Sequence, residues 1–165
     1  MLLVIIHVAV SFVVAMVLHE IGHWGAARAL NVRVRQAGVG WGPKIAGVRI
    51  LGVDCQLRAL PLGAFTRIDM GVLQQRPLAQ QLSVLGAGVG VNLVLGLLTF
   101  GTTFGLINLA LAVGNVLPLY QLDGWKGGMV ICRQIFGGRN PQAEWTFTIL
   151  GGLLVTALVV QGLFI

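Results

Sequence analysis

Charged residues are scarce in this chain: only 10% of its 165 residues are Asp, Glu, Lys or Arg. Soluble domains carry about 25% charged residues. Because 56% of this chain is hydrophobic, the composition excludes an ordinary soluble domain and indicates an integral membrane protein. Acidic residues are the rarest of the charged types. Any chemistry that needs a carboxylate must use one or more of only five residues: Glu20, Asp54, Asp69, Asp123 and Glu144.

Cysteine is almost absent, and its two positions exclude a disulfide scaffold. Cys55 and Cys132 lie far apart, and neither has a second cysteine at metal-ligand spacing. We expect both to be reduced thiols without a structural role. The basic residues are spread over segments between apolar stretches, so we expect no nucleic-acid partner.

Long apolar runs fill most of the chain. The run from Leu82 to Tyr120 would be roughly 58 Å long as one helix, against a hydrocarbon core of about 30 Å. It must therefore turn back, and Gly101-Thr102-Thr103 offers a turn. The sequence predicts an α-helical polytopic membrane protein forming a single domain over residues 1–165. Its four transmembrane helices are expected near residues 3–28, 80–100, 104–118 and 143–164.

The distribution of basic residues predicts the orientation. All 11 of them lie between residues 28 and 76 or between residues 126 and 139, two segments on the same side of a four-span protein. The positive-inside rule then places both segments in the cytoplasm and both termini outside, in a multi-pass protein of the plasma membrane with the lipid bilayer around it.

Residues 31–69 are expected to form a small membrane-associated β-sheet between the first and second helices. Val32-Arg33-Val34-Arg35 and Val48-Arg49-Ile50 alternate apolar and basic side chains, and glycines separate the alternating stretches. Two interpretations remain open. The sheet either joins two helices, or offers a strand edge that pairs with an extended substrate.

The strongest chemical signal is His19-Glu20-Ile21-Gly22-His23 near the end of the first span. Histidines four residues apart lie on one face of a helix and can bind one metal ion, while the adjacent glutamate can take a proton from water. Ionisable groups inside a membrane are expensive and usually functional. The position of His19, roughly 27 Å from the outer end of the span, puts the site toward the cytoplasmic side.

A catalytic zinc usually has three protein ligands, and Asp123 is the best candidate for the third. Pro118 should break the third span before its cytoplasmic end, and an irregular segment ending in a carboxylate suits a cavity at membrane depth. Asp54 and Asp69 are expected to be solvated surface charges.

The chain resembles the site-2 protease family of intramembrane zinc metalloproteases. Three motifs carry the resemblance in the family's order, together with a weaker one at Leu60–Phe65: His19–His23, Gly88-Val89-Gly90-Val91-Asn92, and Asn115-x-x-Pro118-x-x-x-Leu122-Asp123-Gly124. Three residues depart from the family's pattern without removing a ligand or the base: Ala64, Val89 and Trp125. With no room for a PDZ domain, the chain is expected to be a core-only member.

The resemblance implies a zinc metalloendopeptidase for transmembrane or membrane-associated protein substrates, active in regulated intramembrane proteolysis. Zn²⁺ would be bound by His19, His23 and Asp123, with Glu20 as the catalytic base. Asn92 and Asn115 would hold the substrate backbone or the oxyanion, although each could instead be a helix-packing contact. The rival interpretation is a catalytically silent zinc-binding membrane protein with a structural or sensing role. A metal transporter is disfavoured because the spans hold few polar residues. The oligomeric state is left open.

Overall fold

The computed structural model describes residues 1–163, and the fold is mostly helical. Six helices and two strands follow one another along the chain: α1 Leu2–Ala29, β1 Val34–Ile50, β2 Val53–Ile68, α2 Met70–Leu73, α3 Leu78–Leu98, α4 Thr103–Val116, α5 Asp123–Ile135 and α6 Pro141–Leu163. The last residue of the fourth predicted span, residue 164, lies outside the described part.

Three helices, α1, α3 and α6, are long and apolar enough to cross a membrane. Their bounds agree with three of the predicted spans to within about two residues. The predicted span over residues 104–118 is also a helix, α4, but its 14 residues amount to about 21 Å. The prediction of four spanning helices is therefore confirmed for three of them, and α4 alone is shorter than the hydrocarbon core.

Helix α4 is short because Pro118 follows it closely. A residue before proline is driven out of the helical region, and Leu117 has an extended ψ of 143°. The backbone then stays irregular to Leu122, with Gln121 in the left-handed region at a φ of 76°. This irregular segment delivers Asp123 to the first position of α5.

Helix α5 lies between the predicted spans over residues 104–118 and 143–164 and is not among the predicted elements. It is an amphipathic helix of 13 residues whose buried side includes Met129 and Val130. At its far end, Arg133 forms an ion pair of 2.7 Å with Glu144 of α6. Asn140 caps α6, since its Oδ1 accepts a hydrogen bond of 3.1 Å from the Ala143 N–H and Pro141 is the first helical residue.

The predicted sheet is present as the antiparallel pair β1 and β2. Both strands are long and bent, and residues 36–39 have one set of partners at 54–57 and another at 64–67. Residues 54–57 pair in turn with residues 46–49, so four segments lie side by side, and residues 64–67 pair with only one of the others among the described strand pairs. A tight turn at Leu51 and Gly52, both with positive φ, closes the hairpin in the manner of a type I′ turn.

A small buried core joins the sheet to the helices near the C-terminal end of α1, beyond the metal-binding motif. It combines residues from the end of α1, the link to β1, both strands, α2, α3 and α5: Ala27, Val32, Val34, Val53, Leu73, Val84, Leu85 and Val130. Within the motif itself, α1 and α3 approach so closely that a Cβ on Gly22 would lie 2.8 Å from Val91 Cγ2 and 2.9 Å from the Ala87 carbonyl oxygen. The register between these two helices is therefore fixed at the motif.

Candidate metal centre

Helix α1 presents two buried imidazoles one turn apart. His19 and His23 are 3% and 6% exposed, and their Nε2 atoms lie 3.1 Å from each other. The helix runs through this motif without interruption. The four-residue spacing therefore produces the shared face that the sequence predicts.

Asp123 completes a group of three potential ligands. Its Oδ2 lies 2.9 Å from Nε2 of His19 and 2.9 Å from Nε2 of His23. One ligand atom from each of the three residues lies within 4.8 Å of the others, and all three residues are buried. Residues 100 positions apart in the chain thus meet because the irregular segment before α5 ends at this point.

The far sides of the imidazoles are also in contact with protein. The carbonyl oxygen of Val84 accepts a hydrogen bond of 2.8 Å from Nδ1 of His23, which leaves the Nε2 lone pair facing the cluster. Nδ1 of His19 lies 3.1 Å from Nδ2 of Asn92, and the buried Oδ1 of Asn92 has no hydrogen-bond partner among the described residues. If Nε2 of His19 binds a metal, the ring proton is on Nδ1, which must then donate a hydrogen bond. Asn92 would accept this bond with its amide oxygen, and we assign the orientation of the amide on this ground.

Gly88 of α3 leaves the space that the cluster needs. A Cβ at this position would lie 2.5 Å from Nε2 of His23 and 2.6 Å from Nε2 of His19. These are the two nitrogens that face Asp123, so any side chain at residue 88 would displace a ligand. Two imidazoles, one carboxylate and this gap suit Zn²⁺ better than Mg²⁺ or Ca²⁺, which prefer oxygen ligands.

The cluster opens into a cavity of about 1340 Å³. Glu20 and Asn115 line it together with the three potential ligands. Asn115 donates one amide N–H to the Leu111 carbonyl oxygen at 3.0 Å, and its amide has a second N–H. Asn92 is fully buried and contacts His19 instead, so its position favours orientation of the imidazole over contact with a substrate.

Several residues of the site were missed by sequence reasoning. Gly88 enters the sequence prediction only as part of a motif. The Val84 carbonyl carries no side-chain signal at all. Lys126, whose Nζ lies 2.9 Å from Asp123 Oδ1, could have been found from its position three residues after Asp123 on a helix.

The remaining acidic residues of the sheet region lie apart from the cluster. Asp54 bonds with Gln56 and Lys44, and Asp69 bonds with Arg35 and caps α2 at the Val72 N–H. The hydrogen bonds from Arg35 and Val72 hold the pKa of Asp69 below its ordinary value. Gln56 and Lys44 do the same for the pKa of Asp54.

The structure and the site define an integral membrane protein with a buried group of two histidines and one aspartate that has the donor set of a metal site. The model of peptidase family M50 matches residues 7–104. The chain belongs to this family, which confirms the resemblance to site-2 proteases. The matched segment includes His19, Glu20, His23 and Asn92 but ends before Asp123, so the aspartate's place in the site rests on geometry.

Several relatives are zinc or membrane metalloproteases by name. The chain is 32% identical to one of Clostridium perfringens over 58% of its own length and 31% of the relative's. It is 34% identical to zinc metalloprotease Rip1 of Mycolicibacterium smegmatis, over 61% of this chain and 30% of that protein. Membrane metalloprotease ARASP of Arabidopsis thaliana is 31% identical, over 47% of this chain and 20% of that protein. The chain thus spans less than a third of the length of each of these three relatives.

Proposed function

We propose that this protein is a zinc-dependent endopeptidase that hydrolyses peptide bonds in transmembrane or membrane-associated protein substrates. The observation that carries the proposal is the convergence of His19, His23 and Asp123 beside Glu20 at a cavity large enough for a peptide segment. Membership of family M50 and the names of the relatives support it. Regulated intramembrane proteolysis is the physiological setting that we propose for this activity.

His19, His23 and Asp123 would hold the zinc ion through the three atoms that already converge. When bound there, zinc supplies Lewis acidity, which polarises the scissile carbonyl and makes water a competent nucleophile near neutral pH. The second-sphere contacts have separate tasks. The Val84 carbonyl and Asn92 orient the imidazoles, and Lys126 turns Oδ1 of Asp123 away from the cluster.

Glu20 would move the protons of the reaction. It takes a proton from the attacking water as the new C–O bond forms, and gives it to the amide nitrogen as the C–N bond breaks. Its place directly after His19 and on the cavity wall suits both transfers. The second N–H of Asn115 can donate to the carbonyl oxygen as negative charge develops on it. We assign Asn92 to positioning His19, in place of the substrate contact that the family resemblance implies.

The substrate backbone would pair with the edge of the sheet. Six consecutive residues, Ala64 to Asp69, line the metal cavity. Alternate residues of a strand face opposite sides, so a continuous lining indicates that the strand borders the cavity with its edge. Thr66 donates a hydrogen bond of 3.2 Å to the Glu20 carbonyl oxygen, which anchors this edge at the base. Extended peptides add to such edges through main-chain hydrogen bonds.

We propose that α4 crosses the membrane together with the irregular segment after it. If α4 enters from the outer surface after the turn at residues 99–102, it ends about 9 Å short of the opposite face. The chain then unwinds at the depth reached by His19 in α1. This arrangement gives a single domain in the plasma membrane with the site toward the cytoplasm and both termini outside, as the basic residues predict.

The test is cleavage of single-span substrates by protein purified in detergent, compared with Glu20→Gln and with zinc content measured in both. We expect equal zinc in both proteins, and a fall in turnover of about 100-fold or more in the variant. Zinc in both proteins with no cleavage by either, across a broad substrate panel, would favour the silent zinc-binding alternative. Absence of zinc from both would overturn the ligand assignment.

A further inference from the structure

A second cavity, of about 470 Å³, lies between α1 and the sheet. Its walls are almost entirely apolar, with Val17, Ile21 and Trp24 on the helix side and Val39, Ala46, Val48 and Leu57 among the residues on the sheet side. This cavity adjoins the metal cavity, because the two share four lining residues: Glu20, Ala64, Phe65 and Thr66. The proposed catalytic base therefore stands at the junction of a polar cavity and an apolar one.

We propose that this apolar cavity is the specificity pocket for one large aliphatic or aromatic side chain of the substrate, close to the scissile bond. The inference rests on the proposed function, and it specifies which substrates that function accepts. Its volume falls in the range of about 300–1,000 Å³ that is typical of ligand pockets. The pocket is referred to below as the Val17–Leu57 pocket.

Strand geometry explains why a substrate side chain would enter it. A peptide that pairs with residues 64–67 sends alternate side chains to opposite faces of the extended sheet. One face of this sheet is turned toward α1, where the Val17–Leu57 pocket lies. A residue whose carbonyl is placed beside Glu20 thus has a near neighbour whose side chain points between Ile21 of α1 and Ala64 of β2.

The polar groups of the pocket explain why the side chain should be apolar. Gln56 follows Cys55 on β2, so its amide lies on the other face of the sheet, where it donates to Asp54 at 2.6 Å and accepts from Arg58 at 3.1 Å. The hydroxyl of Thr66 donates to the Glu20 carbonyl oxygen. A buried polar side chain would meet groups already bonded to the protein and would lose its own hydrogen bonds to water.

The first arm of the test measures selectivity. A transmembrane peptide that the protein cleaves is varied to Ala, Leu, Phe or Gln at each position flanking the scissile bond. At one position we expect kcat/KM for Leu or Phe to exceed that for Ala by about 10-fold or more, a typical effect in an apolar pocket, with Gln below both. Equal rates at every position would overturn the proposal.

Two matched variants locate the preference in this pocket. Ala46 is exposed on the pocket wall, so Ala46→Leu fills space without disturbing the buried core. We expect it to reduce the Leu-to-Ala ratio toward one. Ala59→Leu places the same side chain at an exposed strand position outside the pocket lining and should leave the ratio unchanged. An equal loss in both variants would contradict the assignment.

The second arm does not depend on turnover, because Cys55 lines the pocket and Cys132 lies on α5. In Glu20→Gln protein, the peptide carrying Leu should slow maleimide labelling of Cys55 several-fold more than the peptide carrying Ala, while Cys132 labels at one rate. Protection without cleavage by wild-type protein would uphold the pocket and reject the protease function. Cleavage without protection would do the reverse. Protection by lipid alone would assign the cavity to an acyl chain and overturn the proposal.

Discussion

Each metal-facing atom of this site is aimed by a contact on the other side of its residue. The Val84 carbonyl holds Nδ1 of His23, Asn92 holds Nδ1 of His19, and Lys126 holds Oδ1 of Asp123. Such outer contacts fix the tautomer and direction of a ligand before the metal arrives. Because the contacts come from α3 and α5, the ligand geometry depends on how three elements are packed together.

Gly88 provides the sharpest test of this packing. We predict that Gly88→Ala lowers zinc affinity by about 100-fold or more, because its Cβ would lie 2.5 Å and 2.6 Å from the two ligand nitrogens. Zinc content after dialysis against a graded series of chelator concentrations measures the change. Gly86→Ala and Gly90→Ala are matched controls on the same helix, since a Cβ at either position meets nothing within 4 Å. Wild-type zinc retention by Gly88→Ala would refute the placement.

Asn92 is predicted to act through His19. Asn92→Ala should lower zinc affinity by about 10- to 100-fold, the usual effect of removing an outer hydrogen bond to a ligand. Asn108→Ala is the matched control. Asn108 is also fully buried, but its amide bonds only with the Phe104 carbonyl of its own helix among the contacts of the described residues. Both variants should unfold at lower temperature, and only Asn92→Ala should release zinc. Equal zinc affinity in the two would assign Asn92 to helix packing.

The sequence predicts the three ligands because each signal is local. Histidines at four-residue spacing share a helix face, and Pro118 ends α4 near an acidic residue. The partners of these ligands depend instead on the register between α1 and α3. That register follows from side-chain packing at Gly22 and Gly88, which no spacing within one helix encodes. The contact of Asn92 with His19 follows from the same register.

At the scale of elements, the connection between the sheet and the helices depends on few polar contacts. Asp69 follows β2, caps α2 and pairs with Arg35 of β1 at 2.7 Å. Its carboxylate therefore ties the first strand to the end of the second. Since residues 64–67 are the proposed docking edge, this tie also fixes the end of that edge next to the cavity.

The Asp69–Arg35 pair predicts a dependence of stability on pH. The pKa of Asp69 is lowered in the folded protein, chiefly by Arg35. Its stabilisation is therefore fully present above the unfolded-state pKa of about 4 and is lost as the pH falls through the lowered value. Asp69→Asn can still cap the helix, so it removes mainly the charge. We expect a lower melting temperature than wild type at pH 7, and a difference that shrinks toward about pH 3.

Arg35→Gln is the complementary variant for this pair. It should show the same pH-dependent difference, because it removes the other partner while leaving Asp69 in place. The pair of Lys44 with Asp54 is unchanged in both variants and cancels from the comparison. A difference between wild type and Asp69→Asn that stays constant from pH 7 to about pH 3 would contradict an ionic contribution.

The elements differ in how well the sequence predicts them. Helices α1, α3 and α6 were predicted from apolar length alone, since the bilayer sets that length. The sequence does not predict helix α5 because this helix is short, amphipathic and rich in glycine, with Gly124, Gly127 and Gly128 in its first two turns. It forms because its buried side packs on α3 and its end pairs with Glu144. These are tertiary contacts that a local pattern does not contain.

At the scale of the whole molecule, the distribution of charge supports the arrangement in the membrane that we propose. The basic residues lie on the sheet, its flanks and the α5 region, whereas the turn between α3 and α4 and the first turns of α1 carry none. The histidines lie in the second half of α1, on the side of the basic segments. A substrate edge, a metal cluster and a proposed specificity pocket thus occupy the same half of the molecule.

This arrangement predicts which residues are accessible from each side of the membrane. In a background in which Cys55 and Cys132 are replaced by serine, single cysteines are placed at Leu2 or Phe100 for the outer side, or at Ile45 or Gln142 for the inner side. All four positions are exposed. In intact cells a membrane-impermeant maleimide should label the first pair alone, and in inverted vesicles the second pair alone, because the positive-inside rule retains the basic segments in the cytoplasm.

Labelling of Leu2 and Phe100 from opposite sides would show that α1 and α3 do not form an antiparallel pair of spans. Labelling of the four positions in the reverse pattern would place the metal site toward the outside and refute the charge argument.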